Sequence, residues 1–563
     1  MARVNSLSGS GVQAPHRVVR LLEVLPGLAT WVTIFLPIVL SIYAPVVVAY
    51  FIIAFDLFWL MKSFRMSFAL LVGHRRLRIA TQLDWTARLR HLEVMMNGDG
   101  VEELEQEIVE IKREQGFSWF LSKKGRRKQE QLQQLHVELD NLRNTEAFRK
   151  PIKPTEVLHV VILATYNETL ETLRPSLKAL SQVNYDLDKI WFVVAYEERG
   201  GDADRERVAT LEREFKGKFG RFMSFAHPDG IVGEERGKGA NITHAGREML
   251  KVIRAENVNV KQVVVTTLDA DHRPDPEYFN HLTYSFCTSE TPKHYSYQPI
   301  PMFFNNIWHV PAPMRVIATG NSFWVIINSV RPHLLRNFAS HSQPLEALID
   351  TDFWATWSVV EDGHQYWRSY YRYNGQYRVE PIYAPIYQDA TLASGYFKTF
   401  KNQYLQLRRW AYGVSDIPYV AIQNARHPKI PAGSRTVHFW RLFEGHYSWA
   451  TAPLILTFVA WMPLFLNSTF KYSVIAHQLP IIASQIMTIA MVGLFITIWL
   501  SIISLPQRPR SKKKVQGIFM ILQWALLPIV ALGFGALAAI DAQTRLMLGK
   551  YLGFRVTEKA VKE

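Results

Sequence analysis

Residues 26–61 form an unbroken apolar run in which Asp56 carries the only charge. Its 36 residues exceed the roughly 20 that one bilayer crossing needs. The break Ser41-Ile42-Tyr43-Ala44-Pro45 reads as a tight turn, so the run predicts two membrane helices over 26–62. Arg3, Arg17 and Arg20 lie in the basic tail 1–25 before it, and Lys62, Arg65, Arg75, Arg76 and Arg78 follow it. Basic residues at both outer ends place both ends in the cytosol. A second apolar region over 450–540 contains Ala450–Leu466, Ile481–Leu505 and Gly517–Ile540, the last interrupted by Pro528. Arg508, Arg510 and Lys512–Lys514 mark another cytosolic turn.

The formal charge is +15. Much of it lies beside these segments as positive-inside charge, which argues against nucleic acid as a partner. The single cysteine, Cys287, cannot form an internal disulfide. The N-terminus lacks a short apolar core followed by a small-residue cleavage site, so no cleaved signal peptide is expected. Residues 75–150 are charged and helical in period. Val101, Leu104, Ile108 and Ile111, then Leu132, Leu135, Leu139 and Leu142, make two apolar stripes, predicting a helical hairpin. A solvated turn or contact with anionic headgroups would account for the basic run Lys123–Lys128 between them.

Pro151 and Pro154 mark a boundary. Over 155–395, β-rich runs (Val157–Ala164, Ile190–Ala195, Gln262–Leu268) alternate with helical stretches (169–182, 204–215, 240–256). The alternation predicts an α/β domain with a mostly parallel sheet covered on both faces. Residues 396–449 are rich in Trp, Tyr and Arg, as interfacial amphipathic helices are.

Polar residues with chemical use recur at strand ends, where open α/β sheets bind ligands. The first strand runs into Thr165-Tyr166-Asn167-Glu168, which puts Glu168 at a pocket rim. The third ends Leu268-Asp269-Ala270-Asp271. Two carboxylates there suit Mg2+ or Mn2+, which binds one or two carboxylates plus substrate phosphates; an Asp-rich turn is the plain alternative. Gly237-Lys238-Gly239 precedes a helix and could hold an anion. Glu361-Asp362 offers carboxylates for a general base, or a helix N-cap. In Gln406-Leu407-Arg408-Arg409-Trp410, Arg409 could pair with a diphosphate and Trp410 stack on a sugar, or both could anchor the chain at the interface.

Taken together, strand–YNE, DAD, ED and QxxRW, in that order between membrane helices, resemble the processive family 2 glycosyltransferases: cellulose, hyaluronan and poly-N-acetylglucosamine synthases. The resemblance covers about 157–425. It implies a GT-A fold and inverting, metal-dependent hexosyl transfer from a nucleotide-sugar, a UDP-sugar favoured. Thr165, Glu168 and Lys238 would line the nucleotide pocket. Asp269 and Asp271 would contact diphosphate and Mg2+ or Mn2+. Asp362, beside Glu361, would be the base. Gln406, Arg409 and Trp410 would cradle diphosphate and acceptor, and Gly320-Asn321-Ser322 matches an acceptor-facing loop. Phe554-Arg555-Val556-Thr557-Glu558-Lys559 fits the FxVTxK gating segment, through Phe554, Val556, Thr557 and Lys559, within a C-terminal segment 541–563.

Two departures stand out. The second strand ends Ala195-Tyr196-Glu197-Glu198, with Glu197 where the family has an aspartate. The hairpin lies outside the core pattern and would serve regulation, a homo-oligomer or a partner. The expectation is an integral protein of the plasma (inner) membrane with a cytosolic catalytic domain, acting on a growing polysaccharide. A single-addition enzyme with a lipid acceptor is the alternative, and a non-enzymatic membrane scaffold or transport component the second. Three full C-terminal crossings would put the gating match on the wrong side, so Gly517–Ile540 is expected to bend at Pro528 without fully crossing.

Overall fold

The computed structural model describes residues 6–7, 9–96, 100–113, 152–510 and 516–553, with 125, 128–129, 131–132, 135–136 and 139–140 between them. The expected gating residues Phe554, Val556, Thr557 and Lys559 lie outside the described residues.

Eight strands form one sheet in the order β3-β2-β1-β4-β7-β6-β8-β5. They are β1 Leu158–Thr165, β2 Ile190–Glu197, β3 Arg221–His227, β4 Val263–Asp269, β5 Arg273–Pro274, β6 Tyr295–Met302, β7 His341–Pro344 and β8 Arg378–Tyr387. Strands β3, β2, β1 and β4 are parallel. Beyond β4 the sheet is mixed: β7 is antiparallel to both β4 and β6, β8 runs parallel to β6, and β5 closes the edge antiparallel to β8. Six of the eight strands therefore run in one direction, as the expected mostly parallel sheet requires, and only β7 and β5 are reversed. Strand β7 is what the alternation did not signal. It is four residues long and reads His-Ser-Gln-Pro, too short and polar for an apolar strand pattern.

Because successive side chains of a strand point to opposite faces, the apolar run of β1 divides. Val161 and Leu163 pack with Leu173 and Leu177 of the helix Leu170–Leu180. Val160 and Ile162 pack with Ile242, Ala245 and Met249 of the helix Lys238–Ala255. Both faces are covered, which is why these strands lack polar alternation.

Among the described residues, five helices are long and apolar enough to cross a membrane: His16–Tyr43 (α1), Pro45–Ala80 (α2), Ala432–Leu466, Val474–Ile503 and Gln516–Met547. Ala44 turns α1 into α2, at the break seen in the sequence. Residues 75–80, expected at the start of a hairpin, are the last turns of α2. The helices Trp85–Met96 and Gly100–Arg113 follow, and Leu92, Leu104, Ile108, Leu135 and Leu139 are buried against the α/β core. Trp85 stacks on His281 at 3.7 Å. On the long helices, polar side chains turn inward and apolar ones outward. Thr30 and Gln543 bond at 2.6 Å, while Phe35, Phe68 and Phe495 are exposed, as in proteins whose surroundings are hydrocarbon.

The contacts of Gln516–Met547 order its ends. Asn467 binds the carbonyl of Ile42, and Phe470 and Ala476 pack with Val48 and Ile52, so this loop lies at the Ala44 end of the bundle. Val474–Ile503 then runs away from that end, and Ser504 meets His74 at 3.0 Å. Trp524 donates to Ser501 at 3.2 Å, and Arg20 donates to the carbonyl of Met547 at 2.8 Å. Trp524 and Met547 thus both lie toward the end of the bundle opposite Ala44. Pro528 and a π-turn over Ala531–Ala536 break its regularity.

Candidate active site

Strand order reverses between β1 and β4: the chain moves outward through β2 and β3, then returns to the other side of β1. A crevice opens at the carboxyl ends of strands at such a point. Ala164 of β1 pairs in register with Asp269 of β4, so the YNE and DAD segments leave the sheet side by side.

After β1, Asn167 takes φ 63, a left-handed turn that Asn tolerates. The turn folds Glu168 back, where its carboxylate accepts from the Thr165 hydroxyl at 2.8 Å and the Tyr166 amide at 2.5 Å. Glu197 ends β2 and is 3% exposed. His227, ending β3, bridges Glu197 at 3.1 Å and Glu234 at 2.9 Å. Burial would lower the His227 pKa, but the two carboxylates outweigh it and raise it. Arg199 stacks on Tyr166 at 4.0 Å and approaches Glu197 at 3.4 Å.

The helix Lys238–Ala255 starts two residues earlier than expected, with Gly237 as its N-cap, so Lys238 is its first residue rather than preceding it. The Lys238 ammonium donates to Asp269 Oδ1 at 2.5 Å and to the Ala339 carbonyl at 3.0 Å. Burial opposes its charge, yet Asp269 and then Glu361 raise its pKa. The two DAD carboxylates differ. The Asp269 side chain is 37% exposed, whereas Asp271 is 2% exposed and accepts from the Asp389 amide at 2.8 Å. His272 accepts from the Asp269 amide at 3.0 Å and also bonds Ser340.

Glu361 and Asp362 form the first turn of the helix Glu361–Arg372, with Val360 as its N-cap. Asp362 accepts from the amides of Ala339 and Gly363, each at 2.7 Å. Burial raises the pKa of both acids, and for Glu361 the like charge of Asp362 adds to it. Lys238 and Arg409 act in the other direction on both. The QxxRW residues lie on the helix Tyr396–Ala411. Gln406 accepts from Thr391 at 2.9 Å, Arg409 donates to the Val359 carbonyl at 3.5 Å, and Trp410 lies 6.4 Å from the Phe303 ring. Gly320 and Asn321, expected on a loop, sit inside the helix Ala312–Ser329, whose flanking residues continue the helical period.

Thr165, Glu168, Glu197, Lys238, Asp269, Asp271, Glu361, Asp362, Gln406, Arg409 and Trp410, with Gly320 and Asn321, line one cavity of about 1620 Å³, and His227 lies behind Glu197. It continues past Trp410 to Lys62 and Arg65 of α2 and to Glu444, Trp449 and Leu456 of Ala432–Leu466. Gly553, the last described residue, lies beside Glu235. A Cβ built on Gly553 would lie 3.1 Å from Glu235, three residues before Lys238.

Among the described residues, no group of three or more His, Cys, Asp or Glu side chains is arranged to hold a metal ion. The donor set fits a hard divalent cation bound by the partly exposed Asp269 carboxylate in exchange for its Lys238 contact, with further ligands from phosphate and water. His227, Glu234, His272 and the Ala339–Ser340 backbone complete the arrangement without having been singled out in the sequence. His227 carries a usable signal, the carboxyl end of a parallel strand. His272 carries a weaker one, being next to DAD.

No family model matches the chain, and no curated protein matches it. Among solved structures it is similar to a mannosyltransferase, PcManGT from Pyrobaculum calidifontis, in complex with GDP-Man and Mn2+. That match has 16% identity over 73% of this chain and 95% of that one, with a TM-score of 0.38. It is also similar to S. aureus TarS in complex with UDP-GlcNAc, at 12% identity over 70% and 93%, with a TM-score of 0.34.

Proposed function

We propose that this chain is a membrane-embedded, GT-A-type family 2 glycosyltransferase that moves a sugar from a nucleotide-sugar to a growing polysaccharide at the cytosolic face. The observation that carries this reading is the single cavity. It joins the strand ends at the reversal point, with Asp269, Lys238 and Asp362, to the polar interior of the membrane helices.

The donor would lie across the ends of β1 and β4, its nucleoside near Thr165, Glu168 and Glu197 and its diphosphate near Lys238 and Arg409. UDP is the favoured nucleotide. Asp269, backed by Asp271, would hold Mg2+ or Mn2+, which when bound neutralises the leaving diphosphate. Asp362 accepts the proton of the acceptor hydroxyl. The hydroxyl oxygen bonds to the anomeric carbon as the bond from that carbon to phosphate oxygen breaks, with inversion. The nucleoside diphosphate departs with the bonding pair. Gln406 and Trp410 would hold the acceptor's end, with Gly320 and Asn321 on the facing wall. A gating role for Phe554, Val556, Thr557 and Lys559 belongs to the same reading, and it is compatible with Gly553, which precedes them, lying beside Glu235.

Purified full-length protein, supplied with nucleotide sugars and Mg2+ or Mn2+, is expected to release nucleoside diphosphate and build polymer. Asp362→Asn is expected to lower kcat by about 10²–10⁴-fold while donor affinity holds. Unchanged turnover in that variant would remove Asp362 as the base, and single-addition products would remove the polymer.

A further inference from the structure

The two ends of the cavity carry opposite charge. Toward the sheet its carboxylates outnumber the cations Arg199, Lys238 and Arg409. Toward the membrane helices it is lined by Lys62, Arg65, Arg331 and Arg441, with Glu444 as their near carboxylate. Glu444 is already engaged, bonding Lys62 at 2.6 Å and the Ser448 hydroxyl at 2.7 Å. Among the described residues the side chains of Arg65, Arg331 and Arg441 make no ion pair within 4.0 Å and no hydrogen bond, although the charge of Arg441 is felt at Glu444. They come from three separate elements: α2, the turn after Ala312–Ser329, and Ala432–Leu466. Burial lowers the Arg331 pKa, and the nearby Arg65 and Arg441 lower it further. Like charges gathered in this way are unfavourable until an anion joins them.

The wall next to these cations is apolar: Trp59, Leu456, Met487 and Leu527. Lys62 lies over the Trp59 ring at 4.4 Å, at the join between the two surfaces. A neutral glycan would leave the guanidiniums without partners. An acidic glycan would meet the cations but not the apolar wall. An anion joined to a hydrocarbon tail meets both. Basic residues at the cytosolic boundary commonly serve only as positive-inside charge, but these line the cavity that holds the transfer site.

We propose that Arg65, Arg331 and Arg441 bind the phosphate of a lipid, and that this phosphate-linked lipid anchors the acceptor whose hydroxyl faces Asp362. The proposal rests on the glycosyltransferase reading and names its acceptor class. The guanidiniums supply paired, charge-assisted hydrogen bonds to phosphate oxygens. The tail lies along Trp59, Leu456 and Met487, between the helices.

The test uses the full chain in phosphatidylcholine nanodiscs given a long-chain polyprenyl monophosphate, the matching polyprenol, or phosphatidylglycerol. Retained lipid is measured by mass spectrometry after washing, and nucleoside diphosphate affinity is measured in parallel. The wild type is expected to retain the monophosphate over both other lipids. The variant Arg65→Gln/Arg331→Gln/Arg441→Gln is expected to retain it about tenfold less or worse, with nucleotide affinity unchanged. If the triple variant misfolds, the single pair decides: Arg331→Gln loses retention and Arg331→Lys recovers most of it. Equal retention of polyprenol or phosphatidylglycerol, equal retention by Arg331→Gln, or displacement of the monophosphate by an acidic oligosaccharide overturns the proposal. Failure of every nucleotide sugar to turn over, with lipid retention intact, overturns the glycosyltransferase reading instead.

Discussion

At the residue scale, two titrations bear on the site. Asp362 and Glu361 have pKa values raised by burial, so a base drawn from this pair loses its proton later as pH rises. The acid limb of kcat is therefore expected above the ordinary carboxylate range of about 4, and a limb at or below it would argue against this base. His227 shifts upward as well. Its charged bridge between Glu197 and Glu234 is fully formed below the unfolded histidine value of about 6.5 and is lost as pH rises through the raised value. The donor KM is expected to rise on the alkaline side, and His227→Gln to flatten that limb. A KM profile shared by both proteins would leave the bridge without a part in donor binding. Glu168, Asp269 and Asp271 are legible in the sequence because an apolar run ending in acids marks a strand's carboxyl end. The Glu197–His227–Glu234 bridge is not, because it depends on β2 and β3 lying side by side, 30 residues apart in sequence.

At the scale of elements, the close approach of one helix to the turn carrying Glu361 and Asp362 makes a sharp prediction. A Cβ on Gly239 would fall 2.5 Å from the Ala355 carbonyl and 3.0 Å from the Glu361 Cβ. Gly239→Ala must therefore move either the helix that carries Lys238 or the turn that carries Glu361 and Asp362. Turnover is expected to drop by about tenfold or more, with a smaller change in melting temperature; wild-type turnover would show that the turn gives way freely. Gly73 plays the same part between α2 and Ala312–Ser329, where a Cβ would lie 2.6 Å from the Ile326 carbonyl. Gly73→Val is expected to cost about 1–3 kcal/mol, read as a fall in denaturant midpoint. The strands β1, β2 and β4 are legible from their apolar runs. The placement of Gly320 within a helix is not, since a glycine in a polar-apolar mixture fits a loop as well as a buried helix turn.

At the scale of the whole molecule, hydropathy finds apolar segments but not which ends meet. Gln516–Met547 is long and apolar enough to cross, yet its contacts to Ser501 and Arg20 bring Trp524 and Met547 toward one end of the bundle. Single cysteines at Gln516 and Lys550, in a protein whose own Cys287 is buried, are expected to react with an impermeant thiol reagent from the same face of oriented vesicles. Labelling from opposite faces would make the segment a full crossing and move the C-terminal match away from the donor.

The uninterrupted run of α2 has a mechanical consequence. Its 36 residues make a rod about 54 Å long at 1.5 Å per residue. One end lies at the Ala44 turn. The other is held against the sheet region, where Arg76 bonds Tyr383 and Gly73 seats on Ile326. A change in tilt of about 5°, of the size that bilayer thickness can impose, would sweep the far end of such a rod through about 5 Å. Lys62 and Arg65 ride on the same rod, so, on the proposal of a phosphate-linked lipid acceptor, lipid thickness would control how that lipid sits relative to Asp362. Activity measured across bilayers of graded acyl length would then trace the angle of one helix.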